Sequence, residues 1–187
     1  LFLAQLSNLM AGNISIVHGV TDSSRTFMGE ESAGMSAVET AVAKIQHGQG
    51  EVFLVGGAYI AERADMSMLM EFGHTLWQGE HGSVWAREDT ESGMIMGSAG
   101  AFLILESREH AEARGVRPYA RISKVLSDRS DRQPGSARKA ADGMFEQISD
   151  QVPTGPLPVL SGCCGVQPQL KEEHDFLKGL SAHGIDP

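Results

Sequence analysis

The sequence predicts an α/β fold with a mostly parallel sheet. Three observations carry that prediction. Short apolar runs closed by glycine, such as Glu51-Val52-Phe53-Leu54-Val55 before Gly56-Gly57, alternate with stretches of helical apolar spacing. Between Ser24 and Val55 the order is strand, turn, helix, tight loop, strand, which is that of a βαβ unit with a parallel pair. Most of the glycine, 22 residues in all, lies where strands would meet helices.

Taken in order, Asn8 to Gly19 is short and mixed, with Ala11-Gly12 and His18-Gly19 as breakers. Ser24 to Met28 is a candidate strand and Gly29 to Gly34 a sharp turn. Met35, Val38, Val42 and Ile45 recur at helical spacing, so a helix is expected over Ser32 to His47, ended by Gly48-Gln49-Gly50. Glu51 to Val55 reads as a buried strand. Ala61 to Phe72 reads as a helix whose Met66, Met68 and Met70 fill core space. Gly73 to Gly93 is a long loop rich in glycine, histidine, tryptophan and acids, a length that in compact domains often serves function. Ala101 to Leu105 is a strand, and Ser107 to Arg114 a helix ended by Gly115. Tyr119 to Leu126 alternates like a half-exposed strand, and Arg129 to Gly135 is a polar loop. Ala137 to Val152 is an amphipathic helix with Ala140, Met144 and Ile148 one turn apart. After Pro153-Thr154-Gly155-Pro156, Leu157 to Leu160 is expected as a strand and Gln169 to Leu180 as a final helix.

A chain of 187 residues fits one domain or a large piece of one. At 41% hydrophobic and 21% charged, it has an ordinary globular composition. No apolar run approaches the roughly 20 residues of a membrane span, so none is expected. Leu1-Phe2-Leu3-Ala4-Gln5-Leu6 has no basic n-region and opens inside an apolar pattern, so a segment of a longer chain is expected. The only cysteines, Cys163 and Cys164, are adjacent and form no C-x-x-C. Neither a disulfide framework nor a zinc site is expected, and the cytoplasm is the natural compartment. His74 and His81 match no metal-ligand spacing, and no cofactor is expected.

The net charge of −9 argues against nucleic acid and anionic membrane as partners. It is unevenly spread: residues 106–139 hold nine Lys/Arg against five acids, about +4 in all. That stretch is either a solvated helix face or a docking surface for an acidic protein.

The chemistry should sit at Phe27-Met28-Gly29-Glu30-Glu31-Ser32-Ala33-Gly34. A strand delivering a residue through a tight turn onto a helix N-terminus is nucleophile-elbow geometry, and the helix dipole stabilises negative charge there. The same residues also suit a plain helix start with acids in its first turn.

Several blocks resemble the β-ketoacyl-acyl-carrier-protein synthases, condensing enzymes of the thiolase-like family. Asn8-Leu9-Met10-Ala11-Gly12, Ser15-Ile16 and His18-Gly19 are similar to the approach to the nucleophile strand. Val55-Gly56-Gly57-Ala58 is similar to the family's Ala-Gly-Gly-Ala strand end. The most specific match runs from Gly93-Met94-Ile95-Met96-Gly97 through Leu103-Ile104-Leu105-Glu106 to Glu109-His110-Ala111-Glu112-Ala113-Arg114-Gly115. The similarity spans about Asn8 to Asp175 and less than half of a usual family member.

The resemblance implies a thiolase-like α/β fold, layered αβαβα with mostly parallel sheets, of which this is a partial chain. Residues 1–118 would be the second part of the N-terminal half, including the nucleophile turn, and 119–187 the start of the C-terminal half. By the same resemblance the family's nucleophilic cysteine falls on Glu31, and Cys164 in Leu160-Ser161-Gly162-Cys163-Cys164-Gly165-Val166 stands at a catalytic histidine position. The threonines that meet the carrier's pantetheine arm are replaced by residues such as Val166 and Pro168, and acids further on survive in kind as Glu172 and Asp175. Gly97-Ser98-Ala99-Gly100-Ala101 lacks the acid of the family's Gly-Glu-Gly-Ala-Gly segment. Trp77 and Trp85 either fold the long loop over the acyl tunnel or anchor it.

A cysteine thiolate at a helix N-terminus is a strong nucleophile and yields an exchangeable thioester. A carboxylate is a weak one, and its acyl product is a water-sensitive anhydride. Losing the histidine removes a donor for enolate charge after decarboxylation. The expectation is therefore a homologue of fatty-acid or polyketide biosynthesis that does not perform ordinary condensation. It would act as a partner or chain-length-factor-like subunit, with acyl carrier protein and a homodimer or a heterodimer with an active ketoacyl synthase as partners. A malonyl-carrier decarboxylase of the same family is the alternative, although the Glu31 charge would repel malonate. A hydrolase using Ser32 is a third reading, but Gly29-x-x-Ser32-x-Gly34 departs from G-x-S-x-G.

Overall fold

A computed structural model describes residues 6–29, 32–87, 92–131 and 133–187. The chain divides into two compact units, Leu1–Val55 with Ile104–Arg117, and Gly56–Leu103 with Pro118–Pro187.

In the first unit, α1 spans Leu9–His18 and stops at Gly19 in the left-handed conformation. The expectation of a mixed, broken segment there is corrected. A Cβ on Gly12 would meet nothing within 4 Å, and a glycine inside a helix weakens it without breaking it. The expected strand at Ser24 to Met28 is also corrected, because no described residue of that stretch enters a strand. Arg25 and Thr26 leave it little apolar surface to bury, and Met28 is exposed. Helix α2, Ala33–Gln46, is close to the helix expected from its periodicity. Ala41 of α2 is buried, and Lys44 reaches back to donate to Ser23 Oγ at 3.0 Å.

Strands β1, Val52–Tyr59, and β2, Ala99–Glu106, form a two-stranded sheet. At one end Ser107 N–H donates to Glu51 O at 2.9 Å. At the other, Gly56 lies against Ala101 and Phe102, and Gly100 against Ala58, so the strands run antiparallel. A Cβ on Gly56 would sit 2.3 Å from Ala101 O, which is why the strand carries glycine where the backbones close up. The parallel pair expected from the strand–helix–strand order does not form among the described residues, since β1 finds β2 instead. After β2, α4 spans Arg108–Ala113 and is capped by Ser107, whose Oγ accepts the His110 N–H at 3.2 Å. Glu106 then binds both His110 Nδ1 and the Arg114 guanidinium, fastening the helix to the strand end.

In the second unit, α3 spans Ala64–Phe72 and a short 3-10 turn Trp85–Arg87. Helix α5 covers Ser136–Glu146, shorter than the expected Ala137 to Val152. Beyond it the chain continues in tight turns, with Ile148 N–H to Phe145 O at 3.0 Å and Gln151 N–H to Ile148 O at 2.8 Å. Pro153 disfavours helix at the residue before it. Strand β3, Gly155–Pro156, pairs in parallel with β4, Ile185–Asp186, and Leu157 N–H extends the ladder to Asp186 O at 2.8 Å.

The strand expected over Leu157 to Leu160 therefore shrinks: residues 158–160 find no partner strand among the described residues, and Leu160 is fully exposed. The strand expected over Tyr119 to Leu126 is likewise absent, because alternation without a neighbouring strand leaves the ladder unmade. Helix α6 spans Gln169–Gly179, near the expected limits. Phe145, Leu180 and Ile185 form this unit's core, with Ile148, Val152, Leu157, Phe176 and Leu177 around it. Among the described residues, no helix is long and apolar enough to cross a membrane.

Candidate functional site

The N-terminus of α2 is one place where the chemistry is expected. Glu31, where the resemblance implies the nucleophile, and Glu30 lie outside the described residues. Ser32 occupies the N-cap of α2, is exposed, and makes no capping hydrogen bond with its side chain. The helix therefore starts with first-turn N–H groups that its own cap leaves unsatisfied, a setting that favours negative charge.

The second place is the segment leading into α6, in the second unit. It holds Cys164, Val166 and Pro168 in an irregular stretch that enters α6 through a turn at Gln167 and Pro168. Cys163 and Cys164 are both half-buried thiols outside any disulfide. Ser161 Oγ accepts the Cys163 N–H at 3.0 Å and donates to the Glu173 carboxylate. Val166 is half-buried and its carbonyl accepts the Leu170 N–H at 3.0 Å. Pro168, exposed and preceded by a cis peptide bond, is the N-cap of α6, and its carbonyl accepts the Glu172 N–H at 3.0 Å. Both residues, expected from the resemblance at carrier-arm positions, thus help to launch the helix.

A strap from the long loop braces that stretch. Gly93 N–H donates to Gly165 O at 3.0 Å, and Gln167 N–H donates to Ser92 Oγ at 2.8 Å. Gly165 is buried with φ +95°, and a Cβ on it would fall 2.6 Å from Gly93 O. Glycine is required there twice, by conformation and by space. Beneath the strap lies Arg87, only 7% exposed. Its Nη1 donates to Gly93 O at 2.9 Å, and its guanidinium lies 5.0 Å from the centre of the Trp77 ring. Trp85 meets His174 of α6 with ring centres 5.0 Å apart. The two tryptophans therefore anchor the long loop to its own unit. Arg87 was missed in the sequence, where it lies in the long Gly73–Gly93 loop with nothing in its spacing to single it out.

Two of the acids on α6, Glu172 and Asp175, do different things. Asp175 pairs with Lys171 at 2.9 Å on an accessible helix face, and that bond holds its carboxyl below the usual range. Glu172 is buried and points at the start of α5. Gly135 N–H donates to its Oε1 at 2.7 Å and Arg138 N–H to its Oε2 at 3.0 Å. Those backbone donors outweigh desolvation and lower its pKa below the ordinary value. It thus caps a helix whose own N-cap, Gly135, has no side chain to offer.

Among the described residues, no three His, Cys, Asp or Glu side chains converge as a metal site would require.

Comparison with known proteins adds the following. The model of the β-ketoacyl synthase N-terminal domain matches residues 1–111. The chain is 26% identical over 123 residues to 3-oxoacyl-[acyl-carrier-protein] synthase 2 of Vibrio cholerae, covering 62% of this chain and 28% of that one. It is 27% identical over 126 residues to the synthase of the same name from Vibrio harveyi, again covering 62% and 28%. Among solved structures it is similar to a type II polyketide-synthase acyl-carrier protein in complex with its ketosynthase bound to the hexaketide (AntDE:AntF), with a TM-score of 0.63 and 21% identity. That similarity covers 97% of this chain and 48% of the other. The chain thus spans less than a third of the length of these two curated relatives.

Proposed function

The chain belongs to the β-ketoacyl synthase family and has its thiolase-like α/β fold, and from that premise we propose that it is a non-condensing ketosynthase homologue of fatty-acid or polyketide biosynthesis. It works as a partner subunit in the manner of a chain-length factor. The reading rests on two replacements that the resemblance implies at the family's catalytic positions, Glu31 for the cysteine and Cys164 for a histidine.

Condensation needs a nucleophile that accepts an acyl group as a thioester and a donor that steadies enolate charge. Glu31 supplies a weak nucleophile with a labile acyl product. Cys164 supplies a thiol where an imidazole would donate a hydrogen bond, and a thiol is a weak donor. The carrier-arm positions change with them. Val166 has no hydroxyl, and Pro168 has neither a hydroxyl nor a backbone N–H.

The partners on this reading are an acyl carrier protein and an active, cysteine-bearing ketosynthase, the setting being cytoplasmic. The polyketide complex to which the fold is similar supports a carrier-protein partner, since that complex contains one. The test is native mass spectrometry of the full-length protein, alone and mixed with a cysteine-bearing homologue from the same organism. A mixed dimer is expected. Failure both to self-associate and to bind the active homologue would reject the partner role.

A further inference from the structure

We propose that Arg87 is a positioning residue. Held between the Trp77 ring and the Gly93 carbonyl, its guanidinium fixes the Cys164 to Pro168 segment that meets the carrier arm in the function proposed above, a reading on which this inference rests.

The contacts form one chain. One face of the guanidinium lies over Trp77 at 5.0 Å, and its edge donates to Gly93 O at 2.9 Å. Gly93 in turn donates its N–H to Gly165 O at 3.0 Å, and Gly165 is bonded directly to Cys164. Ser92 holds the next turn through Gln167 N–H at 2.8 Å. Arg87, Gly93 and Gly165 are all buried, while much of the loop around them is exposed.

Burying a cation is costly, and a solvated loop arginine would avoid the cost. A guanidinium is planar, always charged and able to stack and donate at once, so it can brace an aromatic ring and a carbonyl simultaneously. Nothing larger than glycine fits at position 165, where a Cβ would lie 3.3 Å from Arg87 Nη2 and closer still to Gly93 O. The strap and the site segment therefore have no slack: a shift at Arg87 is passed to Gly165 through two hydrogen bonds that share Gly93. The geometry assigns Arg87 to the carrier-arm wall without requiring that it touch any substrate.

The test uses Cys164 as a reporter in the full-length protein. Iodoacetamide alkylation is followed by peptide mass, which separates Cys164 from Cys163, and the thermal midpoint is recorded beside it. Arg87→Met is expected to label at Cys164 about tenfold faster than wild type, equivalent to about 1.4 kcal/mol of easier local opening. Arg87→Lys keeps the charge over Trp77 and is expected to fall between the two. Phe145→Leu weakens the same unit through its core without touching the strap, and is expected to label within about twofold of wild type.

A wild-type rate in Arg87→Met, or an equal rise in Phe145→Leu, overturns the proposal. Should Arg87→Met fail to fold, Ser92→Ala removes only the exposed strap hydroxyl. It is expected to label about threefold faster, and an unchanged rate there overturns the proposal equally. Labelling needs no acyl substrate, so its outcome is separable from whether the protein condenses.

Discussion

Replacing Glu172 by alanine tests how the second unit is held together. Its carboxylate accepts two backbone N–H groups, from Gly135 at 2.7 Å and Arg138 at 3.0 Å, at the start of α5. The residue is 9% exposed, so water does not readily replace those bonds, and Gly135 at the N-cap offers no side chain. Loss of a helix cap costs about 1 kcal/mol, and hydrogen bonds to a charged group contribute about 1.5–3 kcal/mol. Glu172→Ala should therefore lower unfolding stability by about 2 kcal/mol at neutral pH. Glu172→Gln, which keeps one acceptor oxygen, should lose about half of that.

The pH dependence follows from the lowered pKa. Because the folded carboxyl titrates below its ordinary 4.5, its contribution is present in full above that value and is lost as pH falls through the folded pKa. The assay is urea unfolding of the full-length protein by far-ultraviolet circular dichroism, at neutral pH and again well below pH 4.5. The gap between wild type and Glu172→Gln should narrow in acid. An alanine variant within about 0.5 kcal/mol of wild type at neutral pH, the range of an ordinary surface change, would refute the capping argument.

Other predictions follow from single contacts. Leu170 is completely buried at the start of α6, so Leu170→Ala should cost about 3 kcal/mol in the same unfolding assay, and a loss below about 1 kcal/mol would contradict its core role. Glu106 is held below the usual carboxylate range, first by the Arg114 guanidinium and then by His110. Its carboxyl should titrate below 4.5 by NMR and move up towards that value in Arg114→Ala. The Glu106 contribution to stability should vanish as pH falls through the folded pKa, and an unmoved titration in Arg114→Ala would show that the ion pair is not what lowers it.

Much of the architecture was readable from local pattern. The apolar spacing of Met35, Val38, Val42 and Ile45 located α2, and Val52 to Val55 and Ala101 to Leu105 lie within β1 and β2. What pattern could not give was pairing. Alternation at 119–126 and apolar residues at 157–160 suggest strands, but a strand exists only where a neighbour accepts its hydrogen bonds. Gly12 suggested a break in α1 because helix propensity weighs glycine heavily, yet the surrounding leucine, methionine and isoleucine carry the helix past it.

The site was legible only through the family resemblance. Cys164, Val166 and Pro168 lie within five residues of chain, but the strap that braces them comes from residues more than 70 positions earlier, at Ser92 and Gly93. No local signal marks Arg87 as buried. Glu172 capping a helix 37 residues before it is likewise a contact in space with no trace in spacing.

The most direct test of the central claim is the intact mass of the full-length protein after incubation with acyl-carrier thioesters, beside a Glu31→Cys variant. The account predicts that wild type stays unmodified while the variant gains one acyl group, which would mean the pocket is whole and the chemistry was lost at Glu31. Acylation of wild type would contradict it, because another residue such as Cys164 or Ser32 would then be the nucleophile.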